Sequence, residues 1–112
     1  MAMQANVLRE GKNNNFSSAI GTITFTTNPD TYATGGMTLN LGSITSLLGN
    51  NPIVFITGTS GYQYQYVAGS NRTNGKVKIL ISDDTNVMAE IGAGNLPAGA
   101  QADSISFVAF YI

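Results

Sequence analysis

The sequence predicts an all-β fold, an antiparallel β-sandwich or jelly-roll-like barrel of about seven short strands. Two observations predict it. A hydrophobic period of two recurs in short segments separated by Gly, Pro and Asn turns, and no long segment shows the helical period. The length of 112 residues suits one domain. We therefore expect a single β domain over 19–112, preceded by an extended N-terminal arm over 1–18.

The first clear strand starts at Ala19, where Gly21, Ile23 and Phe25 alternate with threonines. The continuous apolar run 53–56 predicts a strand buried on both faces, and the apolar C-terminal strand is expected to lie centrally or under a neighbour. A turn of helix is expected over 43–49, between Ser43 and a terminating glycine. The remaining predicted strands cover 37–41, 61–67, 76–81 and 87–91, and a loop is expected over 92–102.

The first 18 residues differ from the rest of the chain. They are rich in Asn, carry Arg9, Glu10 and Lys12, and show little strand alternation beyond Val7 and Leu8. We interpret them as an arm that becomes ordered on contact with a partner. A disordered tail and a single edge strand are the alternatives.

The low charge of the chain limits its partners. Only 10% of the residues are charged and the net charge is −1, so no basic stripe for nucleic acid is expected. The neutral polar surface is either covered by neighbouring molecules or belongs to a free monomer. No signal peptide and no apolar run long enough to span a membrane are visible, which predicts synthesis in a cytoplasm and no membrane partner.

The side chains that most enzymes use are scarce. The chain has no His and no Cys, and its six carboxylates fall mostly at predicted turns. We therefore predict no catalytic residues, no metal site and no cofactor, and expect the protein not to be an enzyme.

A tyrosine stripe in the segment 61–67 is the most distinctive recognition feature. Tyr62, Tyr64 and Tyr66 share one face of the predicted strand, and Gln63 and Gln65 share the other. The stripe suits a subunit interface or a sugar-stacking platform, and it equally suits a face turned to the core. The predicted interface residues are Val7, Leu8, Phe16, Tyr62, Tyr64, Tyr66, Phe110 and Tyr111.

From about Ile20 to its end, the chain resembles the capsid decoration or structural cement proteins of tailed bacteriophages. The resemblance covers some four-fifths of the sequence and depends on the order and spacing of several short segments. They are 32–37 with Leu39 and Leu41, then 54–56, 61–64, 75–79, 96–97 and 103–107.

The resemblance implies a β-rich virion protein on the outer surface of the mature head, usually a homotrimer that bridges subunits of the major capsid protein. The family offers no catalytic residues, and residues 1–18 fall outside the match. The alternative function is a receptor- or carbohydrate-binding β-module of a phage tail or fibre, which would use the tyrosine stripe as its platform.

Overall fold

The computed structural model describes residues 3–13, 16–28, 30–44, 52–82 and 88–111. Nearly all of the regular structure is strand, which confirms the all-β prediction. The elements are β1 (Met3–Asn13), β2 (Phe16–Phe25), β3 (Thr31–Tyr32), β4 (Met37–Asn40), β5 (Ile53–Thr57), β6 (Gln63–Val67), β7 (Gly75–Ser82), β8 (Met88–Glu90), β9 (Gly94–Asn95), helix α1 (Ala98–Gln101) and β10 (Ile105–Tyr111).

Seven strands form one sheet that curls into a nearly closed barrel. Their order is β5-β10-β2-β1-β4-β7-β6, and β8 adds to β7 beside this path. All pairings are antiparallel except the short one between β1 and β4. The terminal strands β5 and β6 lie side by side, but no backbone ladder joins them within the described residues.

The barrel interior is filled by the alternate side chains of each strand. From β10 these are Ile105, Phe107 and Ala109, and from β7 they include Val77 and Ile79. Their period of two is the one that the sequence shows, and burying it is the main favourable contribution to folding. Tyr32, Leu39, Leu41, Ile44 and the acidic Asp30 are also fully buried.

The N-terminal segment is part of the sheet. β1 pairs with β2 from Met3↔Phe25 to Asn13↔Phe16, and the side chain of Met3 is buried in the core. Among the described residues of the expected arm over 1–18, 3–13 thus form a strand and 16–18 begin the next one, and beyond β2 this first strand is seen to pair only with β4. The division at residues 18 and 19 falls inside β2, so it separates no structural units.

The register of β1 shifts between Val7 and Arg9, where Leu8 is the extra residue of a β-bulge. Opposite the start of the bulge lies Gly21, and a Cβ atom there would sit 2.1 Å from the backbone oxygen of Asn6. Glycine is therefore needed at this position for close approach of the two strands.

The turns and loops between the strands agree in part with those predicted from the sequence. The predicted turn at residues 34–36 is present, with positive φ angles at Gly35 and Gly36. The expected loop over 92–102 contains β9, which pairs with β3, and the short helix α1. Most of the helical turn predicted for 43–49 lies outside the described residues. In the part of the chain that the structure describes, no helix is long and apolar enough to cross a membrane.

Candidate functional site: an apolar outer face

An apolar row crosses the outside of the barrel. Phe55 on β5 is opposite Val108 on β10, which in turn is opposite Ile20 on β2. Their side chains are 60%, 41% and 44% exposed, although each lies in a regular strand. Directly opposed residues share one face of a sheet, so these three form a continuous strip on the solvent side.

Three further residues widen this strip. Ile53 on β5 is opposite Phe110 on β10, and the rings of Phe55 and Phe110 lie 5.9 Å apart between centroids. The bulge residue Leu8 lies next to Arg9, the partner of Ile20 across the strands, and is 71% exposed. We call the set of Leu8, Ile20, Ile53, Phe55, Val108 and Phe110 the apolar face.

The apolar face is large for a free monomer. Its exposed side chains amount to on the order of 500 Å², near the top of the roughly 300–600 Å² that the largest patch on a monomeric protein reaches. Covering it would supply on the order of 12 kcal/mol before the costs of association are subtracted. A face of this kind is suited to binding another protein.

The outside of the remaining barrel strands is mostly polar. On the outside of β6 and β7, Gln65 is opposite Lys78, and Val67 is opposite Lys76. Thr38 on β4 is also paired with Lys76. The apolar face thus lies on β5, β10 and β2 with Leu8 of β1, and we call the outside of β4, β7 and β6 the polar half, although Val67 there is 39% exposed.

The structure turns the tyrosine stripe towards the core, one of the orientations that the sequence left open. Tyr64 is only 8% exposed, and Tyr62 and Tyr66 are half-buried against the core cluster. Burial raises the pKa of Tyr66, whose hydroxyl is enclosed and has no hydrogen-bond partner among the described residues. The stripe thus provides interior packing and no open platform.

The other predicted interface residues separate into three groups. Leu8 and Phe110 lie on the apolar face, whereas Val7 is half-buried against the core. The backbones of Phe16 and Tyr111 belong to β2 and β10, but their side chains lie outside the described residues.

Sequence reasoning missed four members of the apolar face, namely Ile20, Ile53, Phe55 and Val108. The prediction that 53–56 is buried on both faces was wrong, because β5 ends the sheet and nothing among the described residues covers its outer side. The available signal was the apolar character of both faces in 53–56 and in the C-terminal strand. The prediction that the C-terminal strand lies centrally agrees with the position of β10 between β2 and β5.

The side chain of Asp103 is hydrogen-bonded both to the loop between β5 and β6 and to the strand β6. Its carboxylate accepts hydrogen bonds from the hydroxyl of Tyr64 at 2.6 Å and from the backbone N–H and hydroxyl of Thr59 at 2.8 and 3.0 Å. Burial raises the pKa of Asp103, but the hydrogen bonds from Tyr64, Thr59 and Ser60 outweigh it and lower the pKa below its ordinary value. Burial and then the bond to Asp103 raise the pKa of Tyr64.

A second carboxylate, Glu90, holds the turn after β3. It accepts hydrogen bonds from the Tyr32 hydroxyl at 2.5 Å and from the Gly35 backbone N–H at 2.7 Å. The bond from Tyr32, followed by that from Gly35, lowers the pKa of Glu90. Burial and then the bond to Glu90 raise the pKa of Tyr32 to about 12. Both carboxylates brace the barrel in their ionised form.

These shifts predict a plateau of stability with a fall at each end of the pH range. The two lowered carboxyl pKa values contribute stability that is present above pH about 4 and lost as the pH falls through the folded-state values. The raised pKa of Tyr32 contributes stability that is present below pH about 10 and lost as the pH rises towards 12. Urea unfolding at a series of pH values measures both limbs.

A double variant provides the control for the loss of stability at acid pH. In the double variant Asp103→Asn, Glu90→Gln, the free energy of unfolding is expected to be lower near neutral pH and to fall less steeply below pH about 4. An acid limb of unchanged steepness in this variant would show that other groups cause it.

Within the described ranges, no three or more acidic side chains come together in a group that could hold a metal ion. Comparison of the chain with models of protein families, with curated proteins and with solved structures finds no match. The apolar face is consequently the feature of the described residues that bears most directly on function.

Proposed function

We propose that this protein is a structural protein of a phage virion, a capsid decoration or cement protein. In this proposal it binds the outer surface of the mature head as a homotrimer and bridges subunits of the major capsid protein. The observation that carries the proposal is the apolar face, which offers contact area to a protein partner on a β-scaffold. The resemblance in segments such as 32–37 and 103–107 supports the same proposal.

The kind of contact that the apolar face can make is suited to stabilising a capsid shell. A molecule that binds only the expanded shell stabilises that shell by mass action, and no reaction chemistry is required. Stable protein interfaces bury about 800 Å² on each partner, so an apolar centre on the order of 500 Å² with a polar rim has the right size. A trimer that contacts several capsid subunits at once would add avidity.

The alternative of a carbohydrate-binding module receives less support from the geometry. It required Tyr62, Tyr64 and Tyr66 as an exposed stacking platform, and Tyr64 is buried with its hydroxyl bonded to Asp103. Binding of the isolated protein on a glycan array would favour the alternative.

A matched pair of variants tests the proposal. Phe55→Asp places a charge in the apolar face, and Gln65→Asp places the same charge on the polar half, also at an exposed strand position. We expect Phe55→Asp to weaken binding to expanded heads assembled without this protein by about 30-fold, the effect of losing a central contact of about 2 kcal/mol. Gln65→Asp is expected to bind within about two-fold of the parent.

The measurement is the number of copies bound per head after sedimentation, across a concentration series, with unexpanded proheads as a second control. Saturable binding to expanded heads only, together with greater resistance of those heads to heat, is the expected result. Absence of binding to either form of the head would overturn the proposal.

A further inference from the structure

Three rows of directly opposed residues cross the outer face of β5, β10, β2 and β1. The central row is the apolar one described above, and it ends on β1 at Arg9, the residue opposite Ile20. The row on one side consists of Thr57, Ser106, Thr22 and Asn6. The row on the other side consists of Ile53, Phe110, Ser18 and Gly11. Because opposed residues share one face of a sheet, Arg9 is the single charged residue of these three rows.

The side chain of Arg9 is exposed, and it makes no hydrogen bond or ion pair with another residue that the structure describes. Arginine stays protonated at every pH at which proteins are folded. Its aliphatic stem lies readily along an apolar surface while the guanidinium remains at the margin. A positive charge in this place attracts an opposite charge on a partner and opposes the binding of a basic surface.

A hollow of about 200 Å³ lies beside Arg9. Its other lining residues are Glu10, Gly11, Ser18 and Ile20. Gly11, opposite Ser18, has no side chain to fill the space, and a Cβ atom there would meet nothing within 4 Å. Glu10 is opposite the buried Ala19, so the alternation along β1 directs the Glu10 carboxylate to the other face of the sheet. On the outer face the hollow therefore offers two kinds of donor, a guanidinium and a hydroxyl, beside an apolar wall.

We propose that Arg9 binds a carboxylate of the protein that covers the apolar face, and that this carboxylate occupies the hollow. A guanidinium donates two parallel hydrogen bonds to a carboxylate, and the hydroxyl of Ser18 is a further donor at the same place. The partner surface thus combines an apolar centre with an acidic group at its margin. In the particle proposed above this partner is the major capsid protein, and to that extent the inference rests on the proposed function.

A phosphate of a nucleic acid is the other anion that arginine binds in this geometry. Nucleic acid binding requires several cations along one track, whereas the three rows contain Arg9 alone. A nucleic acid would also bring its charged backbone against the apolar row, and a protein surface would cover that row with apolar groups. The observations therefore favour a protein carboxylate.

The binding of Arg9→Gln and Lys76→Gln to expanded heads tests the inference. Each variant removes one exposed positive charge, the first at the end of the apolar row and the second on the polar half. We expect Arg9→Gln to bind about 10-fold more weakly than the parent at about 50 mM salt, and Lys76→Gln to bind within about two-fold of it. The advantage of the parent over Arg9→Gln is expected to shrink as salt is raised to about 500 mM.

The same series separates failure of this inference from failure of the proposed function. If Arg9→Gln binds as well as the parent while Phe55→Asp binds more weakly, the inference is overturned and the proposed function stands. Equal losses in Arg9→Gln and Lys76→Gln would show a general electrostatic attraction and would overturn a specific site at Arg9. Absence of head binding by the parent would overturn the proposed function and this inference with it.

The Arg9→Lys variant identifies the occupant of the hollow. When heads carrying it are treated with a water-soluble carbodiimide, we expect an amide bond between residue 9 and an acidic residue of the capsid protein, located by peptide mass spectrometry. A bond only to another copy of this chain, or no bond at residue 9, would overturn a capsid carboxylate. Saturable binding of the free parent, but not of Arg9→Gln, to a single-stranded DNA oligonucleotide would show a phosphate occupant and would also overturn the inference.

Discussion

The Gly21→Ala variant is expected to unfold at least about 10 °C below the parent protein, a loss of about 3 kcal/mol. A Cβ atom at Gly21 would lie 2.1 Å from the backbone oxygen of Asn6 and 2.9 Å from a ring carbon of Phe107. The backbone of β1 cannot move away without breaking its ladder to β2, so the β-bulge beside Leu8 and the packing of Phe107 are both disturbed. Thermal unfolding followed by circular dichroism measures the effect.

Gly11→Ala is the matched control. Gly11 lies on the same hairpin, and a Cβ atom there would meet nothing within 4 Å. Its free energy of unfolding is expected to stay within about 0.5 kcal/mol of the parent. If the two variants were equally stable, β1 and β2 would not approach each other as described.

Removal of the Asp103 carboxylate is expected to lower the free energy of unfolding by about 2–3 kcal/mol. Asp103→Ala leaves the Tyr64 hydroxyl and the Thr59 N–H without their acceptor, and hydrogen bonds to a charged group are among the stronger ones. The loop between β5 and β6 then loses its connection to the segment before β10. Urea unfolding at neutral pH measures the loss.

A double-mutant cycle assigns the loss to the bond with Tyr64. Asp103→Ala combined with Tyr64→Phe is expected to show a coupling energy of about 1 kcal/mol or more, because the second substitution removes a bond that is already broken. Tyr62→Phe is the control, since Tyr62 lies on the same stripe and no hydrogen bond between its hydroxyl and Asp103 is present. Additivity in the Tyr64 cycle would contradict the described contact.

The positions of most strands could be predicted from the sequence, because their inward residues follow a period of two. In β7 and β10 the inward positions Val77, Ile79, Ile105 and Phe107 are buried as this period indicates. β1 was not recognised as a strand because Arg9 and Glu10 interrupt its alternation. They can do so because both side chains are exposed in this part of β1, where the described residues show pairing with β2 alone.

The candidate site was less predictable than the fold. Periodicity shows that Tyr62, Tyr64 and Tyr66 share a face, but tyrosine is stable both at an interface and in a core that offers its hydroxyl a partner. That partner, Asp103, is 39 residues from Tyr64 in the sequence. Likewise, Phe55, Val108 and Ile20 form one row only through the pairing of three distant strands, which the order of residues along the chain does not reveal.

The location of β10 also bears on biosynthesis. Ile105 pairs with Ile23, so β2 must leave the ribosome some 80 residues before its neighbour exists. At typical elongation rates of about 5–20 residues per second, β2 and β5 each wait several seconds with an unsatisfied side. During that interval the nascent chain exposes unpaired, aggregation-prone strands. We therefore expect the yield of folded protein to depend on chaperones and on slow translation, more strongly than is usual for a domain of this size.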